Sequence, residues 1–409
     1  MELVAALLMF AMQFAIMIGF FLIVVVFAMK VRQAHARKWE QFANRHGLQF
    51  VPPTALGRPE IRGDYDGVPI RLETVSRNAG NNKVTYTVAN AAIQAPLPAG
   101  FSISREGLGS ALSKLLGGQD IQVGDEKLDR RFRFKGCCTD EVRRAMTDVR
   151  VQKALHEMLG MASSSRVQAG VVIVERRGTR HGPELEQMLE VATRLSRALA
   201  TAFREPWVLL AQDRGLDLDE TGAATVLKGR VDGIGSEGVP VSIRVRRGPE
   251  HVGTHLRVGL PRPLPGKLTL FLKEEGKEGG GIGLGDLVLD TAVQAAAIDP
   301  DAGRRLVAAA DPADDIHGLL LGLLHGHPGS RVTATEIVLI DSRVDPVLAG
   351  EWLDECLALA AALGRAAERA ELSQAVARGR GHLAQREERA FGDRGDRPDP
   401  RPVGEPVEG

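Results

Sequence analysis

The chain has 409 residues, with 52 lysines and arginines balanced by 52 aspartates and glutamates, and 44% of its residues are hydrophobic. A net charge of zero excludes a whole-chain basic footprint for nucleic acid, and 4% aromatics exclude the base-stacking platforms of single-strand binders. Three cysteines in so long a chain exclude a disulfide-built scaffold and fit a reducing compartment.

Residues 3–29 are apolar except for Gln13 and Gly19. About 20 apolar residues cross a bilayer core of roughly 30 Å. Glu2 precedes the run, and Lys30, Arg32, Arg37 and Lys38 follow it. By the positive-inside rule these four cations lie at the membrane interface, on the cytoplasmic side. A cleaved signal would need a basic start and a shorter apolar run. Residues 1–38 therefore read as a single-pass anchor and basic stalk in the inner (plasma) membrane, with the N-terminus outside and the rest cytoplasmic. Gly47 is placed to end the stalk helix.

Two stretches then repeat the same landmarks in the same order. Trp39 and Gly47-Leu48 match Trp207 and Gly215-Leu216. Gly67-Val68-Pro69-Ile70 matches Gly238-Val239-Pro240-Val241, and Arg166-Val167 matches Arg331-Val332. Gly124-Asp125 with Leu128-Asp129 matches Gly285-Asp286 with Leu289-Asp290. A shared order of weak matches predicts a tandem duplication, over 39–200 and 207–370.

In the first copy, short strands are expected at 61–64, 68–74, 84–93 and 100–104, punctuated by the turn signals Asp66-Gly67 and 78–82. A short helix is expected over 107–116 and an alternating strand over 132–134. A helix over 141–159 places Val142, Met146, Val149, Leu155 and Leu159 on one face. A Val/Ile strand follows at 167–175. Pro183 then opens a helix whose stripe is Leu185, Met188, Leu189, Ala192, Leu195 and Leu199. The second copy repeats this layout and ends in a helix from Pro346 to about Ala370. Within it, the short apolar run 318–324 reads as a core helix. Strands first and helices later in each copy predict an α+β fold behind the single transmembrane helix. Residues 378–409, rich in Gly, Pro and mixed charge, read as a disordered tail.

Candidate chemistry is sparse. The pairs Asp125/Asp129 and Asp286/Asp290 could bind a hard cation or act as acid and base, but a pair alone lacks the coordination number of calcium. Capping of a Gly-Asp turn is the favoured reading. His251 and His255 could share a strand face as metal ligands, without the companion motifs of a zinc site. His317, His325 and His327 read as helix-end histidines. Gly279–285 lacks the Gly-Lys-Ser/Thr of a phosphate loop. Cys137-Cys138 and Cys356 read as structural thiols. No catalytic residue, bound metal or cofactor is therefore assigned.

The anchor together with Ile121-Gln122-Val123-Gly124-Asp125, Asp129 and the strand Phe132–136 resembles uncharacterised bacterial membrane-anchored proteins. The resemblance implies a bacterial inner-membrane address and carries over no catalytic residues. The expectation is a non-enzymatic, cytoplasm-facing binding or scaffold module. Its expected partners are the membrane, through residues 3–29, and a protein, with no nucleic acid. The alternative is a membrane-anchored metal-dependent enzyme using the paired aspartates.

Overall fold

The computed structural model describes residues 2–392 apart from 55–57, 80–81, 106–120, 162–163, 222–223, 249–251, 274–280 and 300. The helix expected at 107–116 and residue His251 lie outside the described residues. Helix α1 (Glu2–Arg45) opens the chain. It is long and apolar enough to cross a membrane, with Phe20, Phe21, Ile23 and Phe27 exposed along it. Gly47, at φ 66°, follows its end in the left-handed conformation that glycine adopts cheaply.

The first sheet contains β1 (Gln49–Val51), β2 (Glu60–Tyr65), β3 (Val68–Ala79), β4 (Asn82–Ala92), β5 (Ser102–Arg105), β6 (Phe132–Lys135), β7 (Arg166–Gln168) and β8 (Val171–Arg177). Every pairing is antiparallel, and the order across the sheet is β1-β2-β3-β4-β8-β7-β5-β6. The β2–β3 hairpin turns on Asp66 and Gly67, both at positive φ (54° and 78°), as a two-residue hairpin of type I′ requires. Helices α2 (Glu126–Asp129), α3 (Thr139–Thr147) and α4 (Val149–Met161) lie between β5 and β7.

One helix was expected over 141–159; the structure makes two. Asp148 is extended (φ −64°, ψ 123°), and its carboxylate accepts from the N–H of Arg150, starting a new helix. The break moves Val149 out of the expected apolar stripe, and it is exposed. Helix α5 (Pro183–Asp213) follows. Leu185, Met188, Leu189, Ala192, Leu195, Leu199 and Phe203 pack into the first core, and Trp207 and Ala211 into the second. Residues 201–206, between the two expected copies, lie inside this one helix despite Pro206.

The second sheet contains β9 (Asp217–Thr221), β10 (Ala224–Val231), β11 (Val239–Arg247), β12 (Val252–Gly259), β13 (Thr269–Leu272), β14 (Val293–Ala296), β15 (Arg331–Val332) and β16 (Glu336–Asp341). Its order is β9-β10-β11-β12-β16-β15-β13-β14, the order of the first sheet strand for strand. Helices α6 (Leu287–Ala292), α7 (Ala302–Ala308) and α8 (Ile316–Gly326) take the places of α2, α3 and α4. The apolar run at 318–324 is core helix, with Leu320, Leu323 and Leu324 buried.

Helix α9 (Pro346–Gly392) closes the chain. It packs through Trp352, Leu353, Cys356 and Leu363, then continues past Ala370 with Leu372 and Val376 exposed. The stretch from 378 read as disordered is thus helical to Gly392, and 393–409 lie outside the described residues.

Alternation decides which face each strand buries. Along β11, Val239, Val241, Ile243 and Val245 are buried, while Ser242 and Arg244 point to the opposite face. Ile243 is fully buried on a central strand. Ile243→Ala is expected to lower the unfolding free energy by about 2–5 kcal/mol, whereas Ser242→Ala on the open face should change it by less than about 0.5 kcal/mol. Urea denaturation of the detergent-solubilised chain measures both.

Candidate functional site

The paired aspartates cap backbone, and they do so alike in both halves. Asp125 Oδ1 accepts from the N–H groups of Lys127 (2.8 Å) and Leu128 (3.1 Å), and Asp129 accepts from Val123 (2.9 Å) and Gly124 (3.1 Å). Asp286 Oδ1 accepts from Val288 and Leu289, both at 3.0 Å. Asp290 accepts from Leu284 (2.5 Å) and Gly285 (3.2 Å). The backbone N–H groups of Leu128 and Leu289, first among several causes, hold Asp125 and Asp286 below the usual carboxylate range. Among the described residues, no group of three or more acidic, histidine or cysteine side chains is placed to hold a metal ion.

The histidines separate. His255 stands on the open face of β12, and its expected companion His251 lies outside the described residues. His317 Nε2 lies 3.0 Å from Asp286 Oδ2. His327 is buried: its Nδ1 lies 2.7 Å from Asp341 Oδ2, and its ring meets Trp352 edge-on. Arg343 also binds Asp341, at 2.8 Å, and lies over Trp352. Burial works against the charged form of Asp341. The Arg343 guanidinium and backbone N–H, with His327, more than offset it, and the carboxyl is held below its ordinary value.

Cys356 is buried in the second core. Cys138 is buried and Cys137 exposed, with their sulfurs 3.3 Å apart. Burial pushes both buried thiols above the ordinary cysteine value, which opposes nucleophilic duty.

The junction between the halves holds a buried ion pair that no local pattern announces. Arg247 ends β11 and Glu141 lies in the first turn of α3; their side chains are 1% and 0% exposed. Arg247 Nη2 and Nε donate to Glu141 at 2.8 and 3.1 Å, and its Nη1 donates to Thr225 Oγ1 at 2.7 Å. Trp207 Nε1 donates to the same carboxylate at 3.4 Å. Around this centre Ala99 N–H donates to Arg247 O (2.9 Å), and Arg144 pairs with Asp345 (3.2 Å).

Each sheet carries helices on one face. On the other face of the first sheet, cross-strand register aligns Arg62, Arg71, Asn90, Ile173 and Arg166 in one row. The next row is Glu60, Glu73, Val88 and Glu175. The rows neutralise each other: Arg71 pairs with Glu60 (2.8 Å) and Glu73 (3.0 Å), Arg62 with Glu60, and Arg166 (2.8 Å) and Arg77 with Glu175. A shallow depression of about 520 Å³ opens there beside Arg71, Asn90 and Ile173.

On the second sheet the corresponding rows are Lys228, Ser242, Arg257, Val338 and Arg331, then Val226, Arg244, His255 and Ile340. These faces escaped the sequence reading because each row draws one residue from each of several distant strands. Lys30, Arg32, Arg37 and Lys38, expected at a membrane interface, are exposed on α1.

Glu141→Ala leaves Arg247 buried without its carboxylate and is expected to cost about 3–5 kcal/mol, most of it recovered in E141L/R247M. Equilibrium unfolding of the three proteins reads this directly. Asp341 supplies stability that is fully present above the ordinary aspartate value near 3.8 and is lost as pH falls through its lower folded value. Asp341→Asn is therefore expected to be less stable at neutral pH and to show a flatter acid limb, measured as urea midpoints across pH. Comparison with known protein families, curated proteins and solved structures found no match for this chain.

Proposed function

We propose that the chain is a membrane-tethered, cytoplasm-facing binding module, built by tandem duplication of one α+β domain and without catalysis of its own. The identical strand order of the two sheets supports the duplication. So do the paired aspartates, which cap the same turn in both halves. A turn the fold needs twice accounts for them without an active site. The apolar length of α1 and the cations that follow it support the tether and its orientation.

The observation that carries the binding role is the open sheet face in each half. A sheet covered on one side by helices leaves a broad, rigid surface of central strands on the other, and rigid elements position recognition residues well. The expected occupant of the first such face is a protein. Its mutually neutralised rows suit a polar, uncharged contact, and the shallow depression offers apolar footing at Ile173 and Val171. The metal-dependent reading gains nothing from the geometry, because Asp129 and Asp290 each already engage both oxygens with backbone N–H groups.

A photo-cross-linking residue placed at Asn90, on the open face, should give one discrete protein adduct in intact cells. The same residue at Arg194, on an exposed helix face, should give none. Equal labelling at both positions, or none at Asn90, would sink the binding role. Reporter fusions after Gly392 should be active only as cytoplasmic reporters; activity outside the cytoplasm would sink the orientation.

A further inference from the structure

The two open faces can be compared position by position. Gly63 and Gly229 fix the alignment of β2 with β10. A Cβ on either would meet the leucine that follows the preceding helix, Leu48 Cδ2 at 2.9 Å or Leu216 Cδ2 at 3.0 Å. The buried pairs Val167–Val172 and Val332–Ile337 align β7 and β8 with β15 and β16. On this alignment the cationic row persists. Lys228 stands where Arg62 does, Arg331 where Arg166 does, and Arg257 where Asn90 does. Ser242 alone replaces a cation, at the position of Arg71.

The acidic row does not persist. Val226 stands at the position of Glu60, Arg244 at that of Glu73, and Ile340 at that of Glu175. All three neutralising carboxylates of the first face are missing from the second. Lys228, Arg244, Arg246 and Arg331 form no ion pair among the described residues, and Arg257 has only Glu336, at 3.7 Å. Among the described residues, the remaining acids of this face are Asp217 and Asp219 on the edge strand β9, opposite Lys228 and Val226 in the register. Like charges on neighbouring strands repel, so a face that keeps cations and lacks their partners is destabilised until an external anion meets it.

We propose that the open face of the second sheet docks on an anionic lipid surface through Lys228, Arg244, Arg246, Arg257 and Arg331. Neighbouring strands lie about 4.8 Å apart, so Lys228, Arg257 and Arg331 on alternate strands place a cation about every 10 Å over a span of about 19 Å, suited to a plane of headgroups. The face has no Trp or Tyr, and Phe271 beside Arg331 is too little to stack bases, which disfavours single-stranded nucleic acid. Each basic residue near an anionic membrane strengthens binding roughly fivefold. A chain tethered by α1 would hold the face at high local concentration over that surface. The lipid source therefore rests on the tethered reading above, but the test offers lipid in trans, so its failure leaves the tether itself standing.

Nanodiscs of phosphatidylcholine holding the full chain are mixed with sucrose-loaded vesicles of phosphatidylcholine alone or mixed with phosphatidylglycerol. Co-sedimentation should appear only with phosphatidylglycerol and should weaken as salt rises. V226E/R244E, which restores two carboxylates that the first sheet tolerates at the same positions, should weaken it at least about tenfold. K228Q/R331Q, which adds no charge to the face, should weaken it in the same direction and serves if V226E/R244E does not fold. Wild type that sediments equally with both vesicles, or folded variants that sediment as wild type, would overturn the proposal. So would polyglutamate or duplex DNA binding the wild type while phosphatidylglycerol vesicles do not, since the partner would then be a soluble polyanion.

Discussion

The fold turns on one buried ion pair. Arg247 and Glu141 come from different halves of the chain, and both are removed from water where they meet. Two desolvated charges are costly, and the cost is offset only when geometry is good and the remaining donors are satisfied. Here the guanidinium makes a forked contact to the carboxylate and a third bond to Thr225 Oγ1, while Trp207 Nε1 adds a donor to the acid. Such a pair does little for stability that apolar packing could not do. It penalises any arrangement of the halves in which either partner is left alone. It therefore acts on register, fixing α3 of the first half against β11 of the second.

Helix α5 makes that register possible. Its first turns complete the first core, and Trp207 and Ala211 begin the second. Helix α1 stands in the same relation to the first half, entering it through Trp39, whose Nε1 donates to Arg180 O at 3.1 Å. The stalk is tied down further by the stack of His35 on His181, with ring centroids 4.7 Å apart. Helix α9 runs on past the second core with Leu372 and Val376 exposed.

One backbone plan thus carries two different surfaces. The helix-covered faces of the sheets are alike because burial selects apolar residues at the same alternating positions. The open faces are free of that constraint, and there the halves diverge. The first closes its charges into internal pairs, with Glu175 fully buried beneath Arg77 and Arg166. The second leaves its cations facing outward. Zero net charge over the whole chain concealed this asymmetry, since composition sums over faces that the fold separates.

The features legible in the sequence are those that depend on neighbours along the chain. The apolar length of α1, the Asp66-Gly67 turn, the stripe of α5 and the matched Gly-Asp turns all rest on spacing of a few residues, and backbone geometry converts such spacing directly into structure. The single helix expected at 141–159 failed at Asp148 because a local cap outcompeted a plausible apolar period. Beyond that range the sequence is silent for a physical reason. Arg247 looks like any strand-end arginine until Glu141 arrives from 106 residues away. Lys228, Arg257 and Arg331 become one row only when β10, β12 and β15 share a sheet. Sequence alone determined most of the local elements and the order of their matching landmarks; the junction and the character of each open face were decided by strand pairing, which brings distant residues within reach of each other's charge.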